Sequence, residues 1–310
     1  MIHRHEQNPY KAYKLRTARR FYQLYFLMVP ALIYIIIFNY IPMYGAQIAF
    51  KNFSGSLGIW QSPWIGLKHF QRFLVYPNFW QLIWNTLRIN LYSVIAGFPF
   101  PILLALMINE VRSRTFKKSV QMVTYMPHFI STVAMCGMIT IFLQRENGLF
   151  NIIGAQFGLA PVAWMTSPRM FTSIYVWSGI WQGTGYSSII YLAALSGIDQ
   201  NIIEAARVDG ANRLQRIWHI DFQCLVPIMI IQLILRSGSM LSVGFEKIML
   251  LQNDLNLPAS DVISTYVYRN GLLGGQFSYT SAIGLFNSLI NFILLISVNL
   301  IAHRYSETSI

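Results

Sequence analysis

One polar stretch, residues 199–223, is the part of the chain with the most chemistry. It holds four of the eleven acidic residues, at positions 199, 204, 209 and 221. Asp199 can cap the first turn of a helix, and Gly210 stands where the chain must turn, since glycine takes a positive φ without a steric penalty. Small alanines at 205, 206 and 211 leave room for close approach. We predict two short amphipathic helices, joined by a turn, that form a binding surface for a partner.

Polar side chains inside apolar runs are the second set of candidates. An ionisable residue within a membrane is costly and is usually functional or paired. Arg236 interrupts the apolar stretch 222–245 and lies in its middle by count. It could bind a polar ligand, pair with another subunit, or bond carbonyls of its own bundle. In the fourth run, Trp177, Trp181 and Gln182 fall near one face, with Tyr186 a little over one turn beyond Gln182; they line a ligand path or are packing or lipid-facing residues. Gln232 lies near Arg236. Hydrogen bonds between helices are the expected role of Asn85, Asn90, Asn287 and Asn291.

The sequence offers no evident catalytic device. A phosphate-binding loop of the GxxxxGK[ST] type does not occur. His128 has no second histidine or acid at ligand spacing, so no metal site is expected. Cys136 and Cys224 are too few for a disulfide framework and lie in apolar segments. The sequence also shows no recognisable pair of a nucleophile and a general base.

The elements that must position these residues are membrane helices. Of the 310 residues, 55% are hydrophobic and only 11% are charged, whereas an average globular domain has about 25% charged residues. This composition excludes a water-soluble enzyme and a DNA-binding domain. Crossing the hydrocarbon takes roughly 20 helical residues. Six runs are long enough: 21–50, 89–109 (which can begin near Leu82), 119–144, 170–198, 222–245 and 270–303. We predict an all-α integral membrane protein with six transmembrane helices.

The basic residues indicate the orientation. With the N-terminus in the cytoplasm, the inside segments carry twice as many Lys and Arg residues as the outside loops, as the positive-inside rule requires. Both termini are therefore expected inside, and the net charge of +12 needs no nucleic acid partner. The expected divisions are a basic cytoplasmic segment 1–20, the first span 21–50, an extracellular loop 51–81, a core of five spans 82–304 and a tail 305–310. In the extracellular loop, residues 66–74 predict a short amphipathic helix, either an interfacial anchor or a docking surface.

The loop also carries a family resemblance. It contains Glu204-Ala205-Ala206, then Asp209-Gly210-Ala211, then Ile217 and Ile220, which resembles the EAA signature of ABC importer permeases. Residues 196–199 are similar to the carbohydrate branch of these permeases. Residues 40–45, 62–68, 244–247 and 261–268 are similar to its polysaccharide or lipoprotein-type subgroup. The resemblance covers almost the whole chain. Where the family pattern has a proline, this chain has Gln223, with Pro227 four residues later, so the pattern does not locate the helix bend.

The resemblance implies a transport subunit of a bacterial plasma membrane, and not an enzyme. Such a subunit pairs with a second, homologous permease and with two copies of an ATPase. An extracellular substrate-binding protein or lipoprotein delivers a carbohydrate. ATP and Mg belong to the partner ATPase, and this chain has no cofactor of its own. The EAA loop would then be a coupling helix between spans four and five, with Glu204 contacting a basic ATPase surface and Gly210 supplying the turn. The candidates at 177, 181, 182, 186, 232 and 236 would line the sugar path.

Other functions remain open from the sequence. An integral-membrane enzyme acting on lipid or glycan would need acids or histidines clustered near one membrane face, and the acids concentrate in the loop at 199–223 instead. A membrane scaffold or sensor could have kept the loop and lost transport, and failure to bind an ATPase would favour it. An importer of amino acids or peptides would share the loop but not the flanking patterns.

Overall fold

The computed structural model describes residues 21–305. The basic segment 1–20 and the tail beyond Tyr305 lie outside the described residues. Within the described range every regular element is helical, apart from one isolated antiparallel bridge between Lys51 and Trp64. The all-α prediction is therefore confirmed. Contacts divide the chain into two units, with the boundary after Lys68.

The first unit is a long apolar helix followed by a compact loop. Helix α1 (Tyr22–Ile35) continues through a π turn (Ile36–Tyr40), a further helical segment (Ile41–Met43) and a 3₁₀ segment (Tyr44–Phe50). Together they make 29 residues that are long and apolar enough to cross a membrane. Pro42 has no N–H to donate, which accounts for the irregular turn before it. In the loop, Lys51 Nζ donates to the Ile59 carbonyl (2.7 Å).

The second unit consists of twelve main helices among the described residues. They are α2 (Lys68–Leu74), α3 (Phe79–Gly97), α4 (Pro99–Asn109), α5 (Arg114–Tyr125), α6 (Thr132–Phe142), α7 (Leu149–Gln156), α8 (Pro168–Ser196), α9 (Gln200–Val208), α10 (Phe222–Ser237), α11 (Phe245–Leu251), α12 (Ile263–Val267) and α13 (Phe277–Tyr305). Helix α2 matches the amphipathic helix predicted near 66–74.

Four helical stretches are long and apolar enough to cross a membrane. They are Tyr22–Phe50, Phe79–Asn109, Arg213–Ser237 and Phe277–His303. The third predicted span, 119–144, is not straight, because Arg114–Phe129 and Thr132–Phe142 meet at 95°; counted as one broken span, the pair makes a fifth. The fourth predicted run forms α8, whose 29 residues extend for about 43 Å but include many Gly, Ser and Thr residues. The count of six spans therefore stays a prediction.

Helix α8 is the centre of the second unit. It packs against α3, α4, α5, α10 and α11, and its small residues permit close crossings. At Gly185 a Cβ atom would lie 1.9 Å from the Thr124 carbonyl oxygen of α5. Only glycine allows the backbones of α5 and α8 to approach this closely.

Three apolar clusters hold the second unit together. Phe73, Tyr266 and Tyr279 join α2, α12 and α13. A second cluster joins α3, α6, α8 and α11 around Met135 and Ile248. The third joins α4, α8 and α10, and half-buried residues that include Ile217 pack against it.

Asparagine side chains cross-link the apolar core. Asn85 Nδ2 donates to the carbonyls of Pro258 and Asp261, both at 2.9 Å. The Oδ1 atom of Asn291 accepts from the Leu241 N–H (2.8 Å). The prediction of hydrogen bonds between helices is confirmed for Asn85, because Pro258 belongs to the short helix Leu257–Ser260. The bond of Asn291 goes to a turn residue after α10. The prediction is wrong for Asn90, which bonds the Thr86 carbonyl of its own helix. The Oδ1 atom of Asn287 is buried without a partner in the described part of the chain.

Candidate functional site

The first helix and the turn of the loop that follows α8 form as the sequence predicts, whereas the second predicted short helix is instead the start of a long one. The Asp199 carboxylate accepts the Asn201 N–H (2.9 Å) and caps α9. Gly210 has φ +77°. Beyond α9, the Gly210 N–H donates to the Arg207 carbonyl (3.1 Å) and the Ala211 N–H to the Ala206 carbonyl (2.9 Å). These two bonds form a Schellman motif, which requires a left-handed residue where Gly210 stands.

The second arm of the loop is the beginning of the next long helix. Asn212 and Gln215 form a capping box at its start. The helical turn Arg213–Arg216 then runs through a π turn, Ile217–Asp221, directly into α10. There is no break at Gln223, and Pro227 is contained within α10. The second half of the predicted loop 199–223 is therefore the start of a long helix. This helix, Arg213–Ser237, is one of the four stretches that could cross a membrane.

Two residues at the end of α4 anchor this arm. Arg213 Nε donates to Glu110 Oε2 (2.5 Å), and Arg213 Nη2 donates to the Glu110 backbone carbonyl (2.9 Å). Asp221 is buried and accepts a hydrogen bond from the side chain of Asn109. Sequence reasoning missed Glu110 and Asn109. The available signal was an acid directly after the second apolar run, at the same predicted membrane face as the loop.

Apolar side chains of the loop are uncovered among its exposed polar residues. Val208 is 87% exposed and Leu214 is 76% exposed. The predicted coupling residues Glu204, Ala205, Asp209 and Gly210 are exposed beside them, whereas Ala206, Ala211, Ile217 and Ile220 are half-buried. A concavity of about 390 Å³ lies between the two arms, lined by Ala206, Asp209, Gly210, Ala211, Gln215, Arg216, His219 and Ile220. Exposed apolar side chains around a concavity are typical of a docking surface.

The candidate path residues fall into two groups. Gln182 and Arg236 line a cavity of about 280 Å³ together with Lys247, which we call the cationic cavity. Arg236 also lines an adjoining cavity of about 360 Å³ with Tyr186 and Gln232. Trp177 and Trp181 line a separate apolar cleft of about 370 Å³, which also contains Met135 and Phe150. The structure therefore brings four of the six candidates together and places the two tryptophans apart.

Arg236 does not lie in the middle of a span. Helix α10 ends at Ser237, so Arg236 is in its last turn, and the expected position at the centre of 222–245 is wrong. The apolar composition continues beyond Ser237, but the helix does not, because the Ser237-Gly238-Ser239 sequence favours a turn. The guanidinium carbon of Arg236 lies 5.8 Å from the ring centroid of Phe98.

Lys247 is the second cation of the cationic cavity. It is only 9% exposed, and its Nζ atom donates to the Tyr175 carbonyl (2.7 Å) and lies 4.7 Å from the Tyr175 ring centroid. Burial disfavours the charged form and lowers the pKa of Lys247 to about 8. Sequence reasoning quoted residues 244–247 for the family resemblance but did not assign Lys247 to a site.

The bend between α5 and α6 lies against the candidate face of α8. Gln182 Nε2 donates to the Ile130 carbonyl (2.9 Å). The imidazole of His128 stacks on the Tyr186 ring, with centroids 3.9 Å apart and planes 4° from parallel. His128 thus packs on an aromatic ring, and no group of three or more His, Cys, Asp or Glu residues that could hold a metal occurs between residues 21 and 305.

The chain is similar to known transport proteins in sequence and in fold. Residues 97–307 match the family described as the inner membrane component of binding-protein-dependent transport systems. The chain is 38% identical over 284 residues to Protein LplB of Bacillus subtilis (strain 168), covering 92% of this chain and 89% of LplB. It is 40% identical over 287 residues to the polygalacturonan/rhamnogalacturonan transport system permease protein YteP of the same strain, covering 93% and 89%.

A solved structure shares the whole fold. A chain of a bacterial ABC transporter involved in the import of the acidic polysaccharide alginate superposes with a TM-score of 0.86 at 40% identity. The match covers 94% of this chain and 98% of that one. A second structure of a bacterial alginate ABC transporter, in complex with a periplasmic protein bound to alginate pentasaccharide, also has a TM-score of 0.86, at 39% identity.

Proposed function

The chain belongs to the family of inner membrane components of binding-protein-dependent transport systems, and on that premise we propose that it is the permease subunit of an ATP-driven importer of oligosaccharides. YteP and the alginate transporter both carry saccharides, which supports a saccharide cargo here. In this proposal the chain hydrolyses nothing itself. ATP and Mg bind to a separate ATPase, present in two copies, and a second permease completes the path.

The observation that carries the proposal is the exposed face of the helix and turn at 199–221. Val208 and Leu214 stand in solvent beside the small side chains of Ala205 and Ala206. Such a face is unfavourable unless a partner covers it. We assign it to the ATPase, with α9 as the coupling helix and Glu204 as a charge contact.

The same loop is built to transmit force. Its turn is fixed by Gly210, and its second arm runs without interruption into α10. Movement of α9 by the ATPase is therefore passed to α10, at whose far end Arg236 lies in the wall of the cationic cavity. A rigid connection of this kind suits alternating access, in which rigid bodies switch between two arrangements.

The membrane topology forms part of the proposal. We infer six spans, made by the four apolar stretches, the bent pair α5–α6 and α8, with both termini in the cytoplasm. The loop at 199–221 and the end of α4 then face the cytoplasmic ATPase. The loops at 51–81 and 238–276 face the side from which the substrate-binding protein delivers its cargo.

Purification of the assembly, followed by a transport assay, tests the proposal. The tagged chain is taken from gently solubilised native membranes, and the accompanying proteins are identified by mass spectrometry. We expect a second six-span protein and an ATPase with a phosphate-binding loop. The purified assembly is then reconstituted in vesicles with its binding protein, and we expect oligosaccharide uptake with ATP and none with ADP. A chain that comes out alone, even after crosslinking, would contradict the proposal and favour the scaffold alternative.

A further inference from the structure

The cationic cavity holds positive charge that the chain itself does not neutralise. Two ion pairs occur among residues 21–305, Arg213 with Glu110 and Arg269 with Asp261. Neither involves Arg236 or Lys247, so no carboxylate lies within 4 Å of either cation in the described part of the chain. Both cations line the same cavity of about 280 Å³.

The position of Lys247 shows that this charge is built into the fold. Its side chain is more than nine-tenths buried, and among residues 21–305 its ammonium makes one hydrogen bond, to the Tyr175 carbonyl. Gly179 leaves the space for it, because a Cβ atom there would lie 3.2 Å from Lys247 Nζ. An ammonium has three donors, and burying one is costly unless an anion or further acceptors are supplied.

The rest of the lining is suited to a sugar. Side chains that can accept hydrogen bonds from hydroxyl groups line the cavity together with the two cations. They are Ser93, Gln182, Thr184 and Ser187. Arg236 opens onto the adjoining cavity as well, where Tyr186 and Gln232 add an aromatic ring and an amide. A neutral sugar would satisfy the hydroxyl and amide groups but would leave both cations without a counter-charge.

We propose that the cargo is an anionic oligosaccharide that carries carboxylates, and that Arg236 and Lys247 select it as it passes through the cationic cavity. This inference rests on the proposed function and names its substrate class. The guanidinium of Arg236 can hold a carboxylate with two parallel hydrogen bonds, whereas Lys247 acts as a point charge. The cavity discriminates because the two cations are paired only while a charged sugar unit is present.

The test measures a ratio of uptake rates in the reconstituted assembly. The substrates are short oligouronates and the same oligosaccharides after reduction of their carboxyl groups to neutral alcohols. The binding protein is identical in every arm, so a change of the ratio between permease variants is due to the permease. We expect the wild-type chain to take up the charged form at least tenfold faster, because hydrogen bonds to charged groups are the strong ones.

The variants separate the role of the two cations from a general loss of charge. Arg236→Gln and Lys247→Gln are each expected to lower the charged-to-neutral ratio about tenfold. Arg145→Gln removes an exposed cation outside the cavity and is expected to leave the ratio unchanged. Gly179→Ala keeps both charges but crowds Lys247 Nζ, and we expect a reduction of the ratio by a few fold. Gly137→Ala is its control, since a Cβ atom there meets nothing within 4 Å.

Several outcomes would overturn the inference without touching the proposed function. One is ATP-driven uptake of both forms at equal rates. Another is a preference for charged sugars that survives in Arg236→Gln and Lys247→Gln, which would assign selection to the binding protein. A third is faster uptake of oligosaccharides whose only charged groups are sulfates than of oligouronates, which would show that the cavity does not select carboxylates. Loss of the second permease from the Arg236→Gln or Lys247→Gln assembly would show that the cations pair with that subunit. If the wild-type assembly moves no oligosaccharide at all, the proposed function itself falls.

Discussion

Two connecting regions of the chain are built in opposite ways. The loop at 199–221 leaves its apolar residues uncovered, with Val208 and Leu214 among the most exposed. The segment at 244–276 is folded into the helices around it, and Asn256, Ser260 and Thr265 are all fully buried there. The first region is held mainly by caps and by the Glu110–Arg213 pair, and the second by a continuous network of polar bonds.

Buried polar bonds cross-link the second region and tie it to its surroundings. Asn256 Nδ2 donates to the carbonyls of Met165 (2.9 Å) and Leu251 (3.0 Å), and its Oδ1 atom accepts from Ser260 Oγ (2.9 Å). Asp261 accepts from Thr265 Oγ1 (2.8 Å) and from Arg269 Nη2 (2.6 Å). Most of its buried polar groups are satisfied in this way; Ser264 Oγ and Gln276 Oε1 have no partner in the described part of the chain. A connection held by many such bonds has a structural role, whereas exposed apolar side chains are the feature expected of an interface.

The largest expected effect is the loss of Asn256. In Asn256→Ala the Leu251 carbonyl loses its side-chain donor and the Ser260 hydroxyl loses its acceptor, whereas the Met165 carbonyl keeps the donor Asn253 Nδ2. Each buried group left unpaired costs about 1–3 kcal/mol. We expect the free energy of unfolding to fall by about 3 kcal/mol, seen as a lower midpoint of denaturation in detergent. Asn201→Ala in α9, which is exposed, is the control and should change it by less than about 0.5 kcal/mol. Equal losses in both variants would remove the distinction between the two regions.

The next effect is on coupling and not on stability. Gly210→Pro replaces a residue at φ +77° by one that is fixed near −65° and has no N–H for the Arg207 carbonyl. We expect the variant to insert normally and to lose substrate-stimulated ATP hydrolysis and uptake about a hundredfold. Gly210→Asn is the control, because asparagine tolerates the left-handed region. Normal sugar uptake by Gly210→Pro would refute the coupling role of the loop.

The exposed apolar side chains predict a smaller effect on assembly. Val208→Ser and Leu214→Ser each remove apolar surface that a partner would bury, and a fully buried side chain of this type contributes about 1.5–3 kcal/mol. The affinity for the ATPase is expected to fall about tenfold in each variant, measured by titration of the purified ATPase, with no change in the midpoint of denaturation. Leu159→Ser alters a side chain that is exposed to a similar degree outside the loop, and should bind as the wild type does. Unchanged binding in all three variants would mean that the ATPase docks elsewhere.

The smallest effect is expected at the ion pair that anchors the loop. The Arg213 side chain is 61% exposed and that of Glu110 is 19% exposed, and pairs that solvent reaches contribute about 0.2–1 kcal/mol. A double-mutant cycle with Glu110→Gln and Arg213→Gln should give a coupling energy in this range, and added salt should reduce it. A coupling energy of several kcal/mol would mean that the loop is fixed as firmly as the buried segment at 244–276, and would remove the distinction between the two regions.

Local signals were sufficient for much of the loop. Asp199 caps α9 and Gly210 ends it because both act within a few residues of themselves, and the sequence predicts them correctly. The bend in the third predicted span also has a local signal, since Pro127 and the helix cap Ser131 precede α6, but hydropathy alone predicts one continuous span over 119–144.

Long-range contacts were not predictable in the same way. Lys247 meets Tyr175, 72 positions away along the chain, and Arg213 meets Glu110 across 103 positions. Hydropathy does not encode such pairings, because they depend on how helices cross. The same limit explains the wrong prediction for Arg236. Its place in the last turn of α10 depends on the turn that follows Ser237 and not on the length of the apolar run.

The π turn at Ile217–Asp221 has a consequence for how this chain can evolve by insertion and deletion. A π turn accommodates one residue more than an α-helical turn. Because the wider turn fits the extra residue into one revolution, loss of a single residue there would restore regular helix and leave Arg213 and Leu214 facing nearly as they do now. Loss of a residue from the regular part of α10 would instead rotate everything before it by about 100°, so that Arg213 would leave Glu110 and Leu214 would point in a new direction. The π turn is therefore the place in this arm where the chain length can change by one residue with the least effect on the direction of the loop.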